Sequence, residues 1–218
     1  MTQSIAVLLV DDHSLVREML VDRLSREQDI QIVGTASNGD DAIVRAGESQ
    51  PDIVLMDIDM PGTHCFSAAR QIRQQCPETR VLYLSAFFND RYISDALESE
   101  GTGYITKDEP PEIVLKAIRL AASGMAYFSP RVQERLVIDE TGMSLGDGTR
   151  TKASTLTQRE LETVRYIARG MSKKEIAALI KVSVKTVEMH TQNAMNKLDI
   201  HDRVDLARYA IREGLAQA

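Results

Sequence analysis

The chain has 218 residues and a formal net charge of −6, long for one ordinary domain and comfortable for two. With 43% hydrophobic and 27% charged residues its composition is globular rather than disordered, and its longest aliphatic run, Ile5–Val10, falls far short of the ~20 residues of a membrane span. No basic stretch leads into an apolar segment at the N-terminus, and the two cysteines, Cys65 and Cys76, lack zinc-ligand spacing, so a cytoplasmic protein without a membrane partner is expected.

In chain order, short apolar runs at Ile5–Val10, Ile30–Thr35, Ile53–Met56, Val81–Leu84 and Gly103–Thr106 read as strands. All but the last have the aliphatic and β-branched character of strands buried on both faces. Stretches of helical periodicity separate them: His13–Glu27, Asp40–Ser49, Cys65–Gln75, Asp90–Glu100 and Glu112–Ser123. Five strands alternating with five helices predict an α/β, doubly wound parallel sheet over residues 1–124. Residues 125–154 read as a linker, with a helix at Ser129–Ile138 and a Gly/Ser/Thr/Asp-rich, flexible stretch from Asp139 to Ser154.

Residues 155–218 read as a small all-α domain. Thr157 with Glu160, and Ser172 with Glu175, fit capping boxes, and Gly170 stands where the first helix should stop. Ser183 caps a third helix ending near Leu198, and Asp202 a fourth. The tight connection Lys181–Ser183 suits a helix-turn-helix, although the glycine common in that turn is absent. Charge divides the same way. Residues 1–124 hold 20 acidic against 11 basic side chains, a net −9, and residues 150–218 hold 8 against 13, a net +5. A basic end attached to an acidic front points to two partners, one of them rich in phosphate.

In a doubly wound sheet ligands gather at the carboxyl ends of the strands. The first strand ends in Asp11-Asp12 and the third runs into Asp57, so three carboxylates meet at one edge. Singly, each aspartate is an ordinary helix cap. Together they repel unless a cation intervenes, and all-oxygen ligation suits Mg²⁺ or Mn²⁺. The fourth strand adds a hydroxyl, Ser85, and the fifth an ammonium, Lys107. That set is equipped to stabilise a phosphoryl group in transfer.

Residues 4–124, with LLVDDH, LMDIDMPG, LSA and YITK at successive strand ends, resemble the receiver domain of bacterial two-component response regulators. The resemblance implies a phosphoacceptor at Asp57, served by a histidine kinase. It implies Mg²⁺ held by Asp11, Asp12, Asp57 and the backbone carbonyl of Asp59. Ser85 and Lys107 would meet the phosphoryl oxygens, Pro61-Gly62 would shape the following loop, and Tyr104 would be the switch aromatic. By the same analogy Asp59 and Phe87 govern how fast the phosphate is lost. The Asp57-Ile58-Asp59 run also resembles the nucleophile motif of haloacid-dehalogenase-type phosphatases. Their nucleophile lies on the first strand, however, and their fourth motif position differs from Met60.

On a helical wheel Val184–Leu198 turns Val184, Val187, Thr191, Ala194 and Leu198 to one side and Lys185, Met189, Gln192 and Asn196 to the other. Lys, Gln, Glu, Asn and an apolar tip are the vocabulary of major-groove reading. Thr155–Leu215 resembles the LuxR-type helix-turn-helix, matching at Glu160, Gly170, Ile176, Ala177, Ser183, Lys185, Thr186, Val187, His190, Lys197 and Leu198. A receiver joined to this module defines the NarL/FixJ-type regulators. The resemblance implies base contacts from Lys185, Glu188, Met189 and Gln192, backbone contacts from Lys173, Lys174, Thr186 and His190, and a homodimer on phosphorylation. The expected activity is phosphorylation-controlled binding to double-stranded DNA, without enzymatic turnover beyond slow loss of the phosphate. The rival expectation is a DNA-binding regulator with a degenerate, phosphorylation-independent receiver.

Overall fold

A computed structural model describes residues 4–60, 63–86, 90–139, 142–145, 152–213 and 215–216. The chain forms two compact units, Met1–Ala86 with Asp95–Leu136, and Phe87–Ser94 with Val137–Ala218. Through residue 133 the elements are β1 (Ile5–Val10), α1 (Ser14–Leu24), β2 (Ile30–Ala36), α2 (Gly39–Ser49), β3 (Ile53–Asp57), α3 (Cys65–Gln75), β4 (Arg80–Ser85), α4 (Asp90–Glu98), β5 (Gly103–Thr106), α5 (Pro111–Ala122), β6 (Tyr127–Phe128) and α6 (Pro130–Gln133). Among the described residues no helix is long and apolar enough to cross a membrane.

The sheet of the first unit has the order β2-β1-β3-β4-β5-β6, and every pairing is parallel. Successive side chains on its strands point to opposite faces, and both faces are dry. Val7, Leu9, Ile53, Leu55, Leu82 and Ile105 belong to a core that includes Leu24 of α1 and Val114, Leu115 and Ile118 of α5. Their neighbours Leu8, Val10, Val54, Met56 and Tyr83 are equally buried, and Phe66 of α3 packs its ring against Tyr83 at 4.9 Å. Because β2 and β3 flank β1 on opposite sides, chain order reverses at β1. The crevice beyond the carboxyl ends of β1 and β3 is therefore the switch point where such sheets take ligands.

The sheet has six strands rather than the expected five. Tyr127–Phe128 is too short to announce itself by periodicity, and it pairs with β5 only after α5 has crossed the sheet. The predicted helix over Ser129–Ile138 is also corrected. Only Pro130–Gln133 is helical, and Leu136–Asp139 is a strand, β7, paired with β8 (Gly142–Leu145). Leu136, Val137 and Ile138 include β-branched residues that favour extended backbone, and helical reading overrode that preference. Part of the predicted flexible stretch is thus regular structure: β8, and a 3-10 turn at Lys152–Thr155.

Beyond it lie α7 (Gln158–Ala168), α8 (Lys173–Leu179), α9 (Val184–Leu198) and α10 (Arg203–Arg212). Both capping boxes form, with Thr157 and Ser172 accepting amides from Glu160 and Glu175 and receiving their carboxylates in return. Ser183 and Asp202 cap α9 and α10. Gly170 closes α7 at φ +80°. In the turn between α8 and α9 the left-handed position usual for glycine is taken by Lys181, at φ +54°.

One glycine tests the sixth strand. A Cβ on Gly103 would lie 2.1 Å from the Tyr127 carbonyl oxygen. Gly103→Ala is therefore expected to cost about 1–3 kcal/mol, measured as a fall in the urea midpoint of the first unit. An unchanged midpoint would mean that β6 does not pair there.

Candidate functional site: an acidic crevice and a helix-turn-helix face

Three strand ends build the crevice. Asp11 follows β1, Asp57 ends β3, and Lys107 follows β5, its amide bonded to the Ser85 carbonyl of β4 at 2.7 Å. The Lys107 ammonium donates to Asp11 Oδ2 at 2.7 Å and lies 3.0 Å from Asp57 Oδ2. Both carboxylates are about 1% exposed. Burial drives the Asp57 carboxyl upward, and Lys107 opposes it, leaving a pKa of about 6. Burial also works against the charged form of Lys107, but Asp57 and Asp11 outweigh it and raise the ammonium above its ordinary value. Asp12 is raised as well, by burial first and by Asp11 and Asp59 in addition.

Backbone and side-chain bonds hold this arrangement still. The His13 amide donates to Asp11 Oδ1 at 2.9 Å, Arg17 donates to the Asp11 carbonyl at 2.6 Å, and the Asp59 amide reaches Asp57 Oδ1 at 3.3 Å. Asp57 Oδ2 has the Lys107 ammonium as its charged partner. Ser85 and Tyr104 are buried, 1% and 0% exposed. Pro61-Gly62 and Phe87 lie outside the described residues.

Asp11, Asp12, His13 and Asp57 offer ligand atoms all within 4.8 Å of one another. Charge counting agrees with a cation site. Lys107 is one fixed positive charge among three clustered carboxylates, and a hard divalent ion in an oxygen cage relieves the surplus. The cluster could thus bind a metal. His13, on the solvent side of the cluster, brings its Nδ1 within 2.8 Å of Asp12 Oδ1.

In the second unit, Val187, Thr191, Ala194 and Leu198 of α9 are buried, and Lys185, Glu188, Met189 and Gln192 are exposed. Val184, assigned to the packed side, is 38% exposed. The exposed face is partly prearranged: Lys173 pairs with Glu188 at 3.0 Å, and Gln192 donates to Asn196 at 3.0 Å. The Thr186 hydroxyl shares a 2.8 Å hydrogen bond with Ser183 at the helix cap. Lys174 is exposed at the start of α8, and His190 is half-buried. His201 and Arg203, which the wheel could not place, line the same concavity as Lys185, Met189 and Gln192.

Residues 7–119 match the response regulator receiver domain family, and residues 154–210 match the luxR family of bacterial regulatory proteins. The chain belongs to the response regulators. Over 217 residues it is 33% identical to the response regulator protein VraR of Staphylococcus aureus, covering 98% of this chain and all of that one. The receiver domain of a response regulator assigned as NarL from Mycobacterium tuberculosis is 32% identical, covering 56% of this chain and 98% of that one, with a TM-score of 0.54. RcsB of Salmonella enterica, bound to the promoter rprA with the phosphomimetic BeF₃⁻, shares the fold at a TM-score of 0.67 and 22% identity, covering 95% of this chain and 98% of that one. A receiver with a LuxR-type DNA-binding domain makes this response regulator a transcription regulator of a two-component system. It points to a sensor kinase and DNA as partners, and such regulators are generally not turnover enzymes.

One buried ion pair anchors the DNA-binding unit. Glu160, 3% exposed, accepts from Lys197 at 2.6 Å while completing the α7 capping box. Burial alone would raise its carboxyl, yet Lys197 and the Thr157 amide and hydroxyl hold it below the ordinary glutamate value of 4.5. The stabilisation is therefore present in full above that value and lost as pH falls through the lower, folded one. Glu160→Ala should destabilise this unit by about 1–3 kcal/mol at pH 7, and the gap from the parent should narrow on acidification, followed by thermal melts. Equal melting of the two proteins at pH 7 would remove Glu160 as an anchor.

Proposed function

We propose that the response regulator accepts a phosphoryl group on Asp57 from a sensor histidine kinase, and that this controls dimerisation and sequence-specific binding to double-stranded DNA. The observation that carries the reading is the 3.0 Å approach of the Lys107 ammonium to Asp57 Oδ2, with Ser85 at the neighbouring strand end. An Asp57 oxygen attacks phosphorus, the bond from phosphorus to the kinase imidazole breaks, and the electron pair stays on that nitrogen. A carboxylate is a weak nucleophile toward a phosphorus ringed by negative oxygens, so the protein's task is to remove repulsion and hold alignment. Lys107 does so from one side, and the Ser85 hydroxyl donates to a phosphoryl oxygen. Asp11, Asp12, Asp57 and the Asp59 carbonyl would hold Mg²⁺, or Mn²⁺ in its place. When bound, that ion supplies the charge neutralisation the cluster lacks. Tyr104, buried beside the site on β5, is the switch aromatic, and slow hydrolysis returns Asp57 to its free form.

The proposed domain limits are 1–124 for the receiver, 125–154 for the linker, which opens with the strand that completes the receiver's sheet, and 155–218 for the DNA-binding domain, in the cytoplasm. Lys185, Glu188, Met189 and Gln192 read bases, while Lys173, Lys174, Thr186 and His190 meet the sugar-phosphate backbone. Exposure of the reading side chains on one face of α9 supports that division.

Acetyl phosphate with Mg²⁺ should add one phosphoryl mass to the parent chain, and none to Asp57→Ala or in EDTA. A labelled Asp57→Ala chain, by intact-mass measurement, would overturn the assignment. Sedimentation of the labelled and unlabelled chain then reads dimerisation directly.

DNA affinity should fall steeply with salt, because lysine contacts release counterions. Lys173→Ala should weaken all sequences alike, whereas Gln192→Ala should cost about 1–3 kcal/mol at a single base position, read by binding-site selection. Salt-independent binding would remove the backbone contacts from the proposal.

A further inference from the structure

Ser129 precedes Pro130 at the start of α6, the place where a serine ordinarily turns its hydroxyl onto the free amides of the helix. Here it makes no such cap. Its Oγ instead accepts the amide of Thr106 at 3.1 Å, and its own amide donates to the Tyr104 carbonyl at 3.0 Å. Ser129 is completely buried. The two bonds extend the β5–β6 ladder beyond its last backbone pair, Tyr104 with Phe128. The chain turns into α6 there, so no further β6 carbonyl faces the last β5 amide, and the serine hydroxyl replaces it.

The residue after Thr106 is Lys107. Its amide is held on the opposite side by the Ser85 carbonyl at 2.7 Å, so the end of β5 is gripped from both neighbours. From that end the ammonium spans Asp11 and Asp57. We propose that Ser129 is a positioning residue for phosphoryl transfer: by accepting the Thr106 amide it fixes the strand end from which Lys107 reaches Asp57. The Ser129 carbonyl also accepts the amides of Val132 and Gln133, at 2.8 and 3.0 Å. The same residue therefore ties the phosphate-binding strand to the first turn of the segment leaving the receiver.

This inference rests on Asp57 as the phosphoacceptor, and the parent chain is the control for that reading. Labelling of the full chain by acetyl phosphate at saturating Mg²⁺ is followed by intact mass, beside Mg²⁺ affinity measured by calorimetry. Ser129→Ala, and Ser129→Cys, which keeps the volume but is a poor acceptor, should slow labelling about tenfold while leaving Mg²⁺ affinity within about twofold. Ser129→Thr, which restores the hydroxyl, should recover most of the rate. In a Lys107→Ala background Ser129→Cys should add less than about a twofold effect, because the group it positions is gone. A folded Ser129→Cys chain labelled at the parent rate overturns the proposal, as does an equal slowing with and without Lys107. Failure of the parent itself to label at Asp57 overturns the phosphoacceptor reading, and this inference with it.

Discussion

The ammonium of Lys107, shared between Asp11 and Asp57, is the interaction around which the first unit is arranged. Taking one cation and two carboxylates out of water is expensive, and a single pair at this depth would gain little over an apolar contact. The cluster persists because the sheet leaves it no choice of position. β1, β3, β4 and β5 run parallel and in register, so their carboxyl ends lie along one edge, where Asp11 and Asp12, Asp57, Ser85 and Lys107 follow or end them. Desolvation that would be a defect in a structural protein keeps the Asp57 carboxyl near 6, against the pull of Lys107.

The aliphatic density of the strands follows from that demand for rigidity. Lys107 is held at its amide by the Ser85 carbonyl and reaches two carboxylates with its side chain, and none of the three contacts tolerates a strand that slides. Leu82, Leu84 and Ile105 belong to the core shared with α5, and Tyr83 and Tyr104 fill the opposite face. β6 closes what would otherwise be an open edge beside the lysine-bearing strand. Gly103 is there because the Tyr127 carbonyl approaches too closely for any side chain.

Much of this was legible in the sequence, for identifiable reasons. Strands such as Ile53–Asp57, buried on both faces, write themselves as unbroken aliphatic runs, and their ends are marked by the first polar residue. Thr157, Ser172, Ser183 and Asp202 announce helix starts because caps act within one turn, where spacing alone decides. What failed depended on partners distant in the chain. Tyr127–Phe128 is a strand only because β5 lies beside it, and Leu136–Asp139 only because Gly142–Leu145 returns to pair with it. The Ser129 hydroxyl serves a buried amide 23 residues earlier, a partner that local spacing does not name.

The DNA-binding unit solves a different electrostatic problem with the same economy. The exposed face of α9 carries long side chains that water leaves free to move unless they are paired. Pairing Lys173 with Glu188 across two helices, and Gln192 with Asn196 along one, restricts those side chains before DNA arrives. Each such pair is weak in water, roughly 0–1 kcal/mol, so it yields readily to a base edge or a phosphate. What it contributes is a lower entropic cost of ordering the face on binding. The deeper pair, Glu160 with Lys197, is buried on the glutamate side and holds α7 against α9. Strong pairing under the helix and weak pairing over it divide the charged residues between fold and recognition.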